Sequence, residues 1–460
     1  MTGLDGWGVD ARMSELEATM WRGDKHPVNS TQGGVLDVLA GTPAWEDVVR
    51  LHESALARYP RFRQRVVAPA LPVGPPVWVV DEQFDLQYHL RRVRLPAPGD
   101  RRQLLELTQA LQNTPLDRSR PPWTATFIEG LEGGRSAYFA VVQHCLMDGQ
   151  ALVQLLNDLH HRRPDGVAAG RPSVSASRRD GAVGVAVQHA LSGVRNLPER
   201  SRALAGDLAG TVAAGPLRGA RFARSLGRVL APPPVRSTAL LRGATRARWR
   251  HLVLDVPLDE LRAAARAADA SVNDAYVAAI LGGLRRHHER RSAAIDDITV
   301  AMPVSVRREG EAGGNRFAAA FVSGPAGEPD PARRIAELRA QVRRARAEPA
   351  LDVFSLVLPL VNRAPTPVLR TLFTAMQDRA DLTVSNVPGP PEPVRFGGPA
   401  VDELVFFGAL AGSPITTVLC SHAGRCTIGV TCDGGAFPDL ATLEQDLRDG
   451  LAEVVALGAA

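Results

Sequence analysis

Cysteine is scarce in this 460-residue chain: there are four, with no framework spacing. Disulfides are therefore not expected to hold the fold, and a reducing, cytoplasmic setting is. Aromatics make up only 5% of the chain and do not interleave with basic residues. That argues against a nucleic-acid stacking platform, so no nucleic acid is expected as a partner. No apolar run reaches the roughly 18 residues of a membrane span. The start, Met1-Thr2-Gly3-Leu4-Asp5, lacks a basic segment followed by an apolar one, so no signal peptide is read there. Neither a G-x-x-x-x-G-K-[ST] loop nor a dinucleotide fingerprint occurs. Cys420, His422, Cys426 and Cys432 are spaced too widely for a zinc signature and the three cysteines are read as small core residues, so no metal is expected. Lysine is nearly missing as well. With arginine supplying almost every basic residue, the net charge of +5 reflects coding composition as readily as a partner.

What the chain has is apolar content. Hydrophobic residues at 45% over this length can fill roughly two to three domains. Its most informative stretch is Gln143-His144-Cys145-Leu146-Met147-Asp148-Gly149. An apolar run, Ala137 to Val142, leads into it as a strand. A helical pattern follows, with Ala151, Leu152, Leu155, Leu156 and Leu159 at three- and four-residue steps. His144 is thereby delivered at a strand end, where an imidazole can take a proton near neutral pH. Asp148 can orient His144 or brace the loop as a helix cap, with Gly149 as the permissive turn residue. Cys145 adjoins the histidine, but neighbours on a strand point apart, so a Cys-His nucleophile pair is disfavoured. A base without a nucleophile points to direct transfer.

Around this stretch helices and strands alternate. Thr42-Pro43 reads as a helix start, Phe84 to Leu90 as an alternating strand, residues 101–112 as a helix and Trp123 to Ile128 as a strand. Residues 166–240 differ, being rich in Ala, Gly and Arg and ending in Pro232-Pro233-Pro234. They read as a helical connection whose Arg-rich part, at 185–230, could rest on anionic lipid. The alternation then resumes. Ser271 and Asp274 form a capping-box pattern. Leu382 to Ser385 reads as a strand stopped by a tight turn at Asn386-Val387-Pro388-Gly389-Pro390, and a hairpin turns at Ala423-Gly424. His160-His161 and His287-His288 lie among arginines and read as solvated helix surface.

These residues resemble the bacterial wax ester synthase/diacylglycerol acyltransferase family, whose hallmark is H-H-x-x-x-D-G. Further blocks follow in the family's order: Phe84-Asp85…His89, Pro121-Pro122-Trp123, Asn273-Asp274, Pro303 to Arg307, Gly314-Asn315-Arg316 and Ser385 to Pro390. The resemblance implies an α/β (α+β) fold of two chloramphenicol-acetyltransferase-like domains, each a mixed sheet flanked by helices, with a channel between them. The expected boundaries are 1–165 for the domain carrying H-x-x-x-D-G, 166–240 for the linker and 241–460 for the second domain. It implies transfer of a long-chain acyl group from acyl-CoA to diacylglycerol or a fatty alcohol. His144 would be the base, Asp148 would hold the loop, Asn273 would support the channel and Ser385 would donate to the oxyanion. No cofactor is expected, acyl-CoA being a co-substrate. The protein would be cytoplasmic, and peripheral contact with a membrane or lipid droplet fits the lipid acceptor. Two alternatives are a condensation-type enzyme using carrier-bound acyl groups and a silent lipid-binding relative. Gln143 stands where the family has its first histidine and cannot titrate.

Overall fold

The computed structural model describes residues 11–71, 74–147, 155–156, 159–160, 184–185, 187, 238–242, 248–305, 317–346, 358–359 and 361–459. The Arg-rich part of the expected connection, the Pro232-Pro233-Pro234 run and the Gly314-Asn315-Arg316 block lie outside these residues, apart from Val185 and Val187.

In the first half, α1 (Glu15–Gly23) opens with a Ser14–Glu17 capping box. β1 (Gln32–Leu39) leads to α2 (Trp45–Arg58), then the short pair β2 (Gln64–Val67) and β3 (Val77–Val80). α3 (Leu86–His89), β4 (Leu90–Arg94), α4 (Arg101–Gln112), β5 (Trp123–Glu129) and β6 (Ser136–Gln143) follow. Two expectations are corrected here. Helix α2 begins at Trp45 with Ala44 as its cap, and the Thr42 hydroxyl donates instead to the Gly134 carbonyl at 3.4 Å. Phe84 to Leu90 is not a strand. The Asp85 carboxylate accepts the Gln87 N–H at 2.9 Å and closes one helical turn, α3. That turn lays the His89 ring on Phe84, with centroids 5.0 Å apart and planes 11° from parallel.

In the second half come β7 (Trp249–Pro257), α5 (Leu258–Ala267), α6 (Val272–Glu289), β8 (Ile298–Ser305), β9 (Phe317–Gly324) and α7 (Pro331–Arg346). They are followed by α8 (Thr366–Gln377), β10 (Leu382–Pro388), β11 (Val401–Phe407), β12 (Ile415–His422), β13 (Arg425–Asp433) and α9 (Leu440–Val455). The Ser271–Asp274 capping box forms as expected, with the Asp274 N–H on Ser271 Oγ at 3.2 Å and the Ser271 N–H on Asp274 Oδ2 at 3.1 Å. The hairpin β12–β13 also forms across Ala423-Gly424. The expected tight turn at Asn386 does not. β10 continues to Pro388, pairing Asn386 with Leu419 and Pro388 with Ser421. Proline is tolerated there because β10 pairs with β8 only at Leu382 and Thr383 and has left it by residue 388.

Among the described residues, one sheet runs β11-β1-β6-β5-β4 and a second runs β7-β13-β12-β10-β8-β9. Both are mixed and carry helices, as expected of the fold class. The first sheet, however, takes β11 from the second half: Gly34 faces Phe407 and Val38 faces Glu403 across an antiparallel pair. β11 lies so close to β13 that a Cβ on Gly429 would collide with the Phe406 carbonyl. The second half closes in a similar way, where α6 crosses α9 at Gly283 and Gly450.

The paired histidines are not surface residues. His287 and His288 are 1% and 0% exposed. His287 Nδ1 lies 2.9 Å from Asp446 Oδ2, and His288 Nε2 lies 2.8 Å from Thr238 Oγ1. Periodicity placed them among exposed arginines, but a carboxylate on α9 supplied the partner that permits burial. His251 is buried too. Its ring stacks on Phe407 at 4.0 Å and its Nδ1 lies 3.1 Å from Thr108 Oγ1.

Gly450→Leu should destabilise the protein by ~1–3 kcal/mol or more through overpacking, read by urea unfolding. A stability equal to the native chain would show that α6 and α9 can separate at no cost. Burial lowers His52 from 6.5 to about 4 and His251 from 6.5 to about 3. Between those values and 6.5 the unfolded chain binds protons that the folded chain refuses. Stability is therefore full above the ordinary histidine value and lost as pH falls through this window. Unfolding titrations at pH 7 and 5 should show the loss, and a smaller one in His251→Gln.

Candidate active site

Strand β6 is apolar along its length and mostly buried, and it ends at Gln143. Its last pairing with β1 is Gln32 with Gln143, so the chain leaves the sheet as His144 begins. A turn closes at once, the Leu146 N–H donating to the Gln143 carbonyl at 2.8 Å. Within this turn the side chains part: Gln143 is 3% exposed and Cys145 0%, while His144 between them is partly exposed. The Cys145 thiol sits in the core with Trp21, Tyr59 and Leu146, and burial pushes its pKa well above the ordinary thiol value. It is therefore no nucleophile. Asp148 and Gly149 lie outside the described residues.

The motif blocks that are distant in sequence converge behind this turn. The Pro122 carbonyl accepts the Gln143 N–H at 3.0 Å. Trp123 pairs with Val142 in register, and its indole donates to the Phe62 carbonyl at 2.8 Å. His89 stacks on Trp123 at 4.6 Å, and its Nδ1 meets the Trp123 carbonyl at 2.7 Å. Fully buried, its pKa lowered by desolvation, His89 packs the block rather than serving the reaction. From the other half, Val387 and Cys420 join the core cluster that holds Cys145, Leu146 and Met147. The core cluster that takes in the turn therefore draws on β10 and β12 as well as on its own sheet.

Downstream, Leu155, Leu156 and Leu159 are helical and buried, as the periodicity predicts. His160 is not solvated. Its Nε2 lies 2.8 Å from Asp37 Oδ2, and both side chains are wholly buried. Asp37 sits on β1 directly opposite Tyr138 of β6. The same strand region thus holds both flanks of the loop, at Thr31 before it and at His160 after it. Sequence patterning missed this pair because an acidic residue inside an apolar strand has no period that names its partner.

Asn273 and Ser385, 112 positions apart in the sequence, line one cavity of about 390 Å³. Its lining includes Met302 and Pro303 of β8, Ser385, Asn386 and Pro388 of β10 beyond the last β8 pairing, and Leu419 of β12. Arg262 and Arg346 stand at its edge. Val342 and Arg346 are shared with a neighbouring groove of about 460 Å³ that carries Arg266, Arg339 and Arg343. His144 is not among the lining residues of either. Gln143 lines a separate cavity of about 190 Å³ with Trp21, Asp24, His26, Arg118 and Arg370. The arginines and the Gln143 cavity were not anticipated, and no spacing in the sequence marks them.

Residues 8–276 match the family described as wax ester synthase/diacylglycerol acyltransferase catalytic domain, and residues 313–454 match its C-terminal domain. A putative diacylglycerol O-acyltransferase of Mycobacterium tuberculosis is 34% identical over 472 residues, covering 98% of this chain and 94% of that one. A probable diacylglycerol O-acyltransferase of the same organism is 30% identical over 440 residues, covering 92% and 91%. Among solved structures, the wax ester synthase/diacylglycerol acyltransferase from Marinobacter aquaeolei VT8 superposes with a TM-score of 0.64 at 20% identity, covering 98% of this chain and 100% of that one. The first condensation domain of the CDA synthetase shares the fold with a TM-score of 0.57 at 17% identity, covering 98% and 97%.

His160→Leu leaves the buried Asp37 carboxylate without its partner. Urea unfolding should show a loss of ~3–5 kcal/mol, and a loss under ~1 kcal/mol would mean that the pair behaves as an exposed one.

Proposed function

The chain belongs to the wax ester synthase/diacylglycerol acyltransferase family and is an acyltransferase, and from that premise we propose that it moves a long-chain acyl group from acyl-CoA to the hydroxyl of diacylglycerol or a fatty alcohol, with His144 as general base. The observation that carries this is the turn after β6, which leaves His144 partly exposed while burying both neighbours. His144 takes the proton of the acceptor hydroxyl as its oxygen attacks the thioester carbonyl. The tetrahedral oxyanion then collapses and the C–S bond breaks. CoA thiolate leaves and recovers the proton from the imidazolium. No enzyme-bound intermediate and no resident cofactor is needed.

The split-sheet cavity supports the same reading. Its mixed lining, with Met302, Val322 and Leu419 beside Asn273 and Ser385, suits a pantetheine-like arm, and Ser385 is the candidate hydrogen-bond donor there. The arginines at its mouth suit the phosphates of the donor. Asn273 and Ser385 thus serve the donor cavity in this reading, Asp148 braces the loop and Gln143 supports the turn. Contact with a membrane or lipid-droplet surface belongs to the same proposal, as the source of the acceptor. Among the described residues no helix is long and apolar enough to cross a bilayer.

Thiol release from long-chain acyl-CoA should depend on added diacylglycerol or fatty alcohol, and His144→Ala should lower kcat by roughly 10²–10⁴-fold. No release with either acceptor rules out the proposed reaction. Undiminished release by His144→Ala rules out the base.

A further inference from the structure

One residue grips the His144 turn twice. The Thr31 carbonyl accepts the His144 N–H at 3.0 Å. The Thr31 hydroxyl donates to Gln143 Oε1 at 2.8 Å. That same oxygen lies 3.3 Å from the His144 N–H, so residues 143 and 144 are both tied to Thr31. Thr31 is itself fixed, because its N–H donates to Asp24 Oδ1 at 2.8 Å. Asp24 Oδ2 lies 3.4 Å from Arg118 Nη1. Arg118 in turn donates to the Trp21 carbonyl at 2.6 Å and lies 3.7 Å over the Trp21 ring. Thr31 and Asp24 are 6% and 8% exposed, so water competes weakly for these bonds. Gln32–Gln143 is the last pair of the β1–β6 strands; the His144 N–H bond to the Thr31 carbonyl carries the same register one residue further, and the Thr31 hydroxyl adds a side-chain bond to it.

We propose that Thr31 is the positioning residue of His144, and that Gln143 keeps the brace independent of pH. The proposal rests on His144 being the base. Gln143 Oε1 accepts the Thr31 hydroxyl and shares with the Thr31 carbonyl the His144 N–H, so the side chain at 143 acts in the brace as an acceptor. A neutral imidazole offers one acceptor nitrogen and an imidazolium offers none. A histidine here would lose the side-chain part of the brace on protonation, leaving only the backbone bond to the Thr31 carbonyl, whereas the glutamine does not titrate. The charged and titratable groups around the turn are Asp24, Lys25, His26, Asp117, Arg118 and Arg370 along the Gln143 cavity, with Glu17 and Arg61 near Cys145. Of these His26 is the one imidazole. Its Nε2 is held 2.9 Å from the Asn113 carbonyl, and it bonds neither Thr31 nor Gln143.

The test compares Thr31→Val, Thr31→Ser and Gln143→His by thiol release from acyl-CoA between about pH 5 and 9. Thr31→Val keeps the shape and removes the hydroxyl. It should lower kcat by roughly 10–100-fold with the donor KM unchanged, and Thr31→Ser should recover most of that loss. Gln143→His should steepen the acid limb of kcat/KM beyond the roughly tenfold per pH unit of a single base. A native kcat in Thr31→Val, a loss confined to KM, or a Gln143→His profile that superimposes on the native one would each overturn the inference. If His144→Ala keeps the native rate, the assignment of the base has failed instead. Should Thr31→Val not fold, the Gln143→His profile decides alone.

Discussion

The crossing of β11 from one half of the molecule into the sheet of the other is the constraint on which the rest depends. Its residues pair with β1 along one edge while Gly429 of β13 lets the Phe406 backbone pass at close range. Thr427 adds a hydroxyl bond to the Leu404 carbonyl. The two sheets cannot slide apart without unpairing a buried strand, which would leave its backbone donors and acceptors unsatisfied. The core cluster that holds Cys145, Leu146 and Met147 therefore draws on both halves.

A second seam works by polar contact. Arg22 of α1 donates to the carbonyls of Asn362 and Ala364, just before α8. The Asn362 amide reaches back to the Glu15 carbonyl at 2.8 Å. Arg370 donates to the Arg22 carbonyl at 3.2 Å and also lines the cavity beside Gln143. This seam places a charged wall on the Gln143 side of the turn, whereas the cavity lined by Asn273 and Ser385 lies in the second half. The two sides of position 143–144 thus have different chemistry, one polar and one set against a core of aliphatic strands.

Patterning read the local pieces well where each piece contains its own reason. Ser271 and Asp274 cap each other three residues apart, and residues 101–112 carry one apolar face. The β12–β13 hairpin is closed by its own turn. The reading failed where a distant partner decides. The Asp85 cap made a helical turn of a stretch that alternates like a strand, and β12 held Asn386 to Pro388 extended through a proline-rich segment. His160, His287 and His288 went inside because Asp37, Asp446 and Thr238 meet them there. Of the site, His144 was legible because a strand end followed by a helix start is a local signal. Thr31 was not, since one threonine before a strand carries no signal of its own.

The sequence by itself determined the alternation of helices and strands, the family and the residue to which the base is assigned, because these rest on short-range periodicity and ordered motifs. Only the tertiary structure decided that β11 completes the other half's sheet and that Asn273 and Ser385 share a cavity. It also decided that Thr31 and Gln143 brace the turn. Each of these is a contact between residues tens to hundreds of positions apart, and such contacts are fixed by which buried polar groups find partners once the core has closed.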